Sequence, residues 1–399
     1  MGQHSRSSAG LAPLSPTCFD TPSSTVVPPT TMDRNSPTKV GPVGGSVACQ
    51  RLAASLVAPT ATLGEALAQL DAGGIGVLLV AGAGRRLVGV LTDGDLRRAI
   101  LSGSGLDSPV LPFVSREPLT TGPEAGPDVV LQLLDHGREY AVHHLPVVAD
   151  DGVVLGVWLR SDIVRTPGTD LRAMIMAGGY GMRLRPLTDG IPKPMLPVGD
   201  RPLLELTIER LRAAGIRHVG VATHYLAECI TGHFGDGSAF GVEISYFPEE
   251  QPLGTAGALR ALPDDGEPLL VLNGDVLTGV NFARMLAFHR ECGAELTVGV
   301  REYVMEVPYG VVDCQGTRVL GIREKPRQRY MVNAGIYLLE SGVRRFVPDD
   351  LRFDMPDLIG RLLAADRSVA AFPIVEYWLD IGRPADYARA QADIATVRL

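Results

Sequence analysis

From Leu171 onward, short apolar runs alternate with amphipathic stretches, and this rhythm constrains the fold more than any other feature of the chain. AMIMAGG (173–179), VGVAT (219–223), EPLLVLNGD (267–275) and AELTVGV (294–300) read as buried strands; PLLELTIERLRAAG (202–215) and NFARMLAFHRECG (281–293) read as helices. Strands separated by helices of roughly 10–15 residues pair in parallel, because each helix carries the chain back across the sheet. The expectation is an α/β fold with a doubly wound, mainly parallel, Rossmann-like sheet. Ligands of such sheets lie beyond the carboxyl ends of the strands.

Length asks for more than this one unit, since 399 residues exceed a single ordinary domain. Residues 51–165 carry an internal repeat. LGEALAQLDAGGIGVLLVAGAGRRLVGVLTDGDLRRAIL and VVLQLLDHGREYAVHHLPVVADDGVVLGVWLRSDIVR each run helix, β segment, turn, β segment, helix. Aligning the second β segments sets Gly89 over Gly156 and Asp95 over Asp162. Residues 1–50 are rich in Ser, Thr, Pro and Gly and bury too little to offset their ordering entropy, so they read as disordered. Met32 lies inside that segment and is an alternative start, while residues 165–170 read as a linker.

Charge and cysteine usage exclude several functions. A net charge of −8 argues against a nucleic-acid backbone or an anionic membrane as the main partner. The five cysteines show neither a CxxC pair nor zinc spacing, and read as free thiols of a reducing compartment. No apolar run approaches the roughly 20 residues of a membrane span, and no secretory signal is visible. These features point to a soluble, cytoplasmic protein.

The densest chemical signal is MAGGYGMRLRPLTDGIPKPMLPVGDRPLLE, residues 176–205. A buried strand ends at Ala177 in Gly178-Gly179-Tyr180-Gly181, where missing side chains let backbone N–H groups approach an anion. Arg183 follows, and Lys193 stands in a stiff Pro-Lys-Pro frame. Backbone donors, a guanidinium and an ammonium suit a triphosphate. A Walker loop is excluded because the chain has no Gly-Lys dipeptide, and a dinucleotide fingerprint because Leu184 stands where its third glycine belongs. The bland alternative is a turn-forming glycine cluster with a solvated Arg and Lys.

This segment resembles the signature of the sugar-phosphate nucleotidyltransferase family, with Met182 in place of the family's Thr, so Met182 is left out of the site. The resemblance extends from 171 to about 390. Asn273-Gly274-Asp275 ends an apolar strand, and a carboxylate there suits Mg²⁺, a hard ion that prefers oxygen; a helix cap is the alternative. Asp380, in EYWLDIGRPADY, shares that metal by resemblance, although by itself it reads equally as a turn residue. The resemblance makes Gly254, Thr255 and Ala256 a nucleobase loop. Glu249 stands where thymidylyl and uridylyl members carry Gln, and a carboxylate, which only accepts, suits the N–H donors of guanine. Glu250 is adjacent, and either could be a solvated loop charge. On the sugar side the resemblance assigns Gly310 a close backbone approach, Glu324 and Asn333 the hydroxyls, and Lys325 the phosphate. Without it, Glu324-Lys325 would read as a surface pair.

The repeat resembles a tandem of cystathionine-β-synthase (CBS) domains. That implies a unit at 51–107, a second at 108–166, the transferase domain at 171–399, and an adenosine nucleotide between the copies. Thr92 would meet its phosphate and Asp95 its ribose; the second copy keeps Asp162 but has Leu159 for the hydroxyl residue. A pair used only for packing and dimerisation is the alternative. The expected activity is transfer of a nucleotidyl group from a nucleoside triphosphate, GTP favoured, to a sugar-1-phosphate with Mg²⁺, by a homo-oligomer. Arg183, Lys193, Asp275 and Asp380 would carry the chemistry. A UTP- or dTTP-using enzyme and a catalytically inactive nucleotide sensor are the competing readings.

Overall fold

The computed structural model describes residues 51–135, 143–163, 171–262, 266–349 and 352–397. The disorder expected for 1–50, the start at Met32, the linker at 165–170 and part of the second repeat's first half lie outside the described residues.

The first repeat begins with α1 (Leu52–Ser55), β1 (Leu56–Val57) and α2 (Leu63–Gly73), then a hairpin of β2 (Val77–Ala81) and β3 (Leu87–Thr92), then α3 (Asp93–Leu101). The second has α4 (Pro127–Asp135), β4 (His144–Val148), β5 (Val154–Leu159) and α5 (Arg160–Ile163). Both hairpins keep one register. Val80 pairs with Gly89 where Val147 pairs with Gly156, and each ladder slips just beyond that pair. Gly89 is required by packing, since a Cβ there would stand 2.2 Å from the Ser115 carbonyl oxygen. α2 starts at a Thr62–Glu65 capping box and stops at Gly74, whose φ of 66° suits a residue without a side chain.

The remainder folds around one seven-stranded sheet. Its strands are β6 (Arg172–Met176), β9 (His218–Thr223), β10 (Glu243–Pro248), β11 (Leu269–Asn273), β13 (Leu296–Glu306), β16 (Arg327–Leu339) and β17 (Val369–Pro373). The order is β10-β9-β6-β11-β16-β13-β17. Neighbours are parallel except at β16, which runs antiparallel to both β11 and β13. The mainly parallel α/β sheet expected from the strand–helix rhythm is therefore present. Between these strands lie short β7 (Pro197–Val198) and β8 (Arg201–Pro202), α6 (Leu203–Ala213), α7 (Ala227–Phe234), β12 (Val276–Thr278) and α8 (Phe282–Glu291). A hairpin of β14 (Val311–Gln315) and β15 (Arg318–Arg323), α9 (Met355–Ala364), β18 (Trp378–Asp380) and α10 (Pro384–Asp393) complete the set.

Apolar side chains fill both faces of the sheet. Ile175, Leu270, Leu272 and Ile336 meet α6 and α8 on one side, while Met174, Val271 and Tyr337 meet α9 on the other. The outer halves of β13 and β16, with β14 and β15, project from this core and are largely exposed.

Candidate functional site

The parallel strands β6, β9 and β11 end on one rim, and the candidate residues collect there. Ala177 is buried as β6 ends, its N–H donating to the Ala222 carbonyl at 2.9 Å. The glycine run then turns at Gly181, with φ 63°, where a Cβ would press on Thr188 at 2.9 Å. Thr188 donates its hydroxyl to the Gly181 carbonyl at 2.9 Å and so holds the turn. Around Gly179 there is open space, and a side chain on Gly178 would meet Glu249 Oε2 at 3.2 Å. The loop thus borders Glu249 on one side and solvent on the other.

Two pieces of chain distant in sequence bring the acidic residues together. β11 runs out through Asn273 and Gly274 to Asp275, and β12 pairs antiparallel with β18 so that Val276 faces Asp380. Ile381 N–H closes the ladder on the Asp275 carbonyl at 3.0 Å. Lys193 is buried, and its ammonium pairs with Asp275 Oδ2. Arg183 flanks Asp380, for a Cβ on Gly382 would lie 3.5 Å from Asp380 Oδ1 and 3.6 Å from an Arg183 guanidinium nitrogen. Burial of its carboxyl and the charge of Asp275 raise the pKa of Asp380, and the charges of Lys193 and Arg183 pull the other way. Asp380 therefore feels the other three.

This donor set can be tested against a cation. Among the described residues there is no group of three or more His, Cys, Asp or Glu able to hold a metal unaided. Two mutually repelling carboxylates, all oxygen, fit a hard divalent ion that completes its shell with phosphate oxygens and water. The residues present therefore fit a hard divalent cation.

The other candidates are placed as follows. Glu249 accepts from Leu253 N–H at 3.2 Å, and burial raises its carboxyl above the ordinary range. Glu250 is exposed. Gly254 has φ 83°, and a Cβ there would stand 2.5 Å from the Phe353 carbonyl oxygen. Thr255 N–H donates to Asp354 Oδ1 at 2.8 Å and Ala256 N–H to the Phe353 carbonyl at 3.0 Å. Those donors are engaged with the start of α9. A Cβ on Gly310 would stand 3.1 Å from Glu324 Oε2, and Lys325 is exposed with φ 42°. Asn333 donates to Tyr337 Oη at 2.7 Å and accepts Gly335 N–H at 3.0 Å.

Several neighbours escaped the sequence reading. Tyr180 Oη and His224 Nε2 lie 2.8 Å apart, and His224 Nδ1 is 2.7 Å from the Glu249 carbonyl oxygen. His224 directly follows β9, so the strand-end rule would have found it. Asn273, beside Gly335, carries a buried Oδ1 without a hydrogen-bond partner among the described residues. In the repeats, Thr92 and Asp95 form a reciprocal capping box on α3, and Asp95 also pairs with Arg98 at 2.6 Å. Asp162 accepts from Leu159 N–H at 3.1 Å and from Arg51 at 2.6 Å.

A mainly parallel sheet with a glycine turn, two cations and two carboxylates at one strand-end rim defines an α/β phosphate-handling class. Comparison with known proteins gives the family. The nucleotidyl transferase family profile matches residues 172–397, and the CBS domain profile matches 56–102 and 111–167. The chain belongs to the nucleotidyl transferase family and carries a CBS pair. It is 36% identical over 229 residues to mannose-1-phosphate guanylyltransferase of Mycobacterium tuberculosis (strain ATCC 25618 / H37Rv), covering 56% of this chain and 64% of that one. It is 34% identical over 242 residues to UTP--glucose-1-phosphate uridylyltransferase of Synechocystis sp. (strain ATCC 27184 / PCC 6803 / Kazusa), covering 55% and 62%. The chain thus spans less than two thirds of the length of the curated relatives it matches. The crystal structure of HddC from Yersinia pseudotuberculosis complexed with GMP-PN superposes with a TM-score of 0.45 and 27% identity, over 56% of this chain and 99% of that one. No helix among the described residues is long and apolar enough to cross a membrane.

Proposed function

We propose that the chain joins a nucleotide to a sugar-1-phosphate, with GTP as donor and mannose-1-phosphate as the first acceptor to test, releasing pyrophosphate. The observation that carries this reading is the convergence of Arg183, Lys193, Asp275 and Asp380 beside the glycine turn. A phosphate oxygen of the acceptor attacks the α-phosphorus of the triphosphate. The new P–O bond forms as the α–β bridge bond breaks, and the electron pair leaves with pyrophosphate. No covalent enzyme intermediate is required, so the residues position and neutralise.

In this scheme the turn from Ala177 to Gly181 cradles the triphosphate, Arg183 neutralises the leaving pyrophosphate, and Lys193 the charge growing at the α-phosphate. Asp275 and Asp380 would hold Mg²⁺, which supplies charge neutralisation to the reacting phosphates when bound. Lys325 orients the acceptor phosphate; Glu324 and Asn333 hold its hydroxyls, and Gly310 permits close approach. Glu249 accepts the guanine N–H donors, with Gly254, Thr255 and Ala256 shaping the base pocket. The mannose-1-phosphate guanylyltransferase relative supports the GTP assignment. The uridylyltransferase relative favours a second reading, a UTP-using enzyme.

We assign one repeat to 51–107, the other to 108–166 and the transferase to 171–399. An adenosine nucleotide at Thr92, Asp95 and Asp162 would regulate turnover, and association through the repeats would give a homo-oligomer. Free thiols at Cys229, Cys292 and Cys314 and nucleotide substrates suit the cytoplasm. The test is pyrophosphate release with Mg²⁺, crossing GTP, UTP, dTTP, CTP and ATP with a panel of sugar-1-phosphates. Release with GTP and mannose-1-phosphate is expected, and Asp275→Asn should abolish it without unfolding the protein. Turnover of the substituted protein near wild type would refute the metal assignment; binding without pyrophosphate release in the unsubstituted protein would favour a sensor.

A further inference from the structure

Arg97 is wholly buried, yet it belongs to the CBS repeat rather than to the transferase. It sits in the middle of α3, and that helix packs against α8 and β17 of the large sheet. Its Nε donates to Asp93 at 2.6 Å within the helix, and a terminal nitrogen reaches Glu376 at 2.8 Å across the boundary. Its other terminal nitrogen donates to the Pro373 carbonyl, and the guanidinium carbon lies 3.8 Å over the Phe372 ring. One side chain thus grips residues 372, 373 and 376 of the transferase.

The gripped segment leads straight to Asp380. Glu376 also accepts Val375 N–H at 3.0 Å, and Arg301 donates to the carbonyls of Ile374 and Glu376 at 2.8 and 2.9 Å. The Tyr377 carbonyl accepts Gly279 N–H at 2.8 Å, and the chain then enters the β18–β12 ladder that sets Asp380 beside Asp275. Burial pushes the Glu376 carboxyl up, but the charge and hydrogen bond of Arg97, together with backbone N–H donors at 375 and 376, hold the group below its usual range. A buried charge left without its partner is strongly unfavourable, so the segment would move to bring Glu376 to water. Only residues 377–379 separate Glu376 from Asp380.

We propose that Arg97 is a positioning residue for the transferase, acting from the CBS repeat through Glu376 on the placement of Asp380 beside Asp275. The inference rests on the reading of Asp275 and Asp380 as the cation pair. Arg284 supplies the internal comparison. It is nearly buried at the same boundary, bonds Asp71 and the Leu70 carbonyl, and lies 3.6 Å from Asp93, the carboxylate Arg97 also holds; unlike Arg97 it makes no hydrogen bond to residues 372–377 among the described residues. Loss of either arginine weakens the docking of the repeat; only loss of Arg97 frees the segment before Asp380.

The experiment uses the full chain and Mn²⁺ alone as probe, followed by electron paramagnetic resonance, with GTP and mannose-1-phosphate turnover and thermal unfolding alongside. Arg97→Met is expected to weaken Mn²⁺ binding on the order of tenfold, the effect typical of residues that orient a metal's ligands. It should lower kcat with little change in the KM for GTP. Arg284→Met should lower the melting temperature and leave Mn²⁺ affinity within twofold. If Arg97→Met yields no folded protein, Glu376→Gln, which keeps the shape and drops the charge, carries the same expectation. Equal Mn²⁺ affinity in Arg97→Met (or in its stand-in) and wild type overturns the inference, as does an equal loss in both arginine variants, which would mark a purely structural role. Asp380→Asn is measured in parallel. If it abolishes Mn²⁺ binding while Arg97→Met does not weaken it, only the inference fails; if it binds Mn²⁺ as wild type does, the cation-pair reading fails and the inference with it.

Discussion

Gly274 separates Asn273 from Asp275, and its replacement by alanine tests whether close contact between two strand ends sets the site. A Cβ at this position would stand 2.8 Å from the Met176 carbonyl oxygen, 3.3 Å from Pro194 Cγ and 3.4 Å from Ala177 Cα. Two of those atoms are backbone of the β6 end, which cannot rotate away as a side chain would. Relieving the contact requires β6 and β11 to separate by roughly 0.5 Å and stretches the 2.9 Å bond from Gly274 N–H to the Met176 carbonyl. Overpacking of this kind costs about 2 kcal/mol. In a domain of this size that lowers the melting temperature by about 4–8 °C. Because displacement of reacting groups by about 1 Å can cost a hundredfold, half that distance should cut kcat roughly tenfold. Gly360, exposed on α9 with open space around its Cβ position, is the control. Gly360→Ala should stabilise by up to about 1 kcal/mol and leave turnover unchanged. The assays are calorimetry and pyrophosphate release on both variants. Wild-type kcat and melting temperature in Gly274→Ala would refute the reasoning.

Three further outcomes are expected. Glu249→Gln should raise the KM for GTP about tenfold, since a charge-assisted acceptor is lost. Because burial raises the Glu249 pKa, the wild-type KM should also climb as pH falls through that raised value, whereas the Gln variant should not follow; parallel pH profiles would remove Glu249 from base recognition. Glu376 has a depressed folded pKa, so its contribution to stability is complete above its unfolded pKa of about 4.3 and is lost as pH falls through the folded value. Urea unfolding between pH 3 and 6 should show this loss in wild type and a flatter profile in Glu376→Gln. Thr92→Ala removes the capping box of α3 and should cost about 1 kcal/mol by thermal unfolding. If Thr92 also meets an adenosine nucleotide, the variant should lose the stabilisation that AMP confers on wild type; an unchanged AMP shift would leave Thr92 a cap only.

The sheet was legible because its signal is local. A strand buried on both faces must be a continuous apolar run, as 173–177 and 269–272 are, and the intervening helices show the apolar period of a one-sided surface. The antiparallel insertion of β16 was not legible. VNAGIY looks like any other buried strand, and its direction depends on the projecting β14–β15 hairpin returning the chain. Repeat alignment was legible down to the register of Gly89 and Gly156, because both hairpins are built on one pattern.

The sequence by itself determined that Ala177 and Asp275 follow apolar strands, with glycines beside them; Asp380 alone read equally as a turn residue. Only the tertiary structure decided what those ends meet. That Asp380 faces Asp275, that Lys193 pairs with the latter, and that Arg97 of the repeat holds Glu376 all depend on contacts between residues some 80 to 280 positions apart. A Cβ at Gly274 would be crowded by the end of β6, and one at Gly360 would meet open space. Local pattern reports burial and turn; it carries no record of which distant backbone will fill the space a missing side chain leaves.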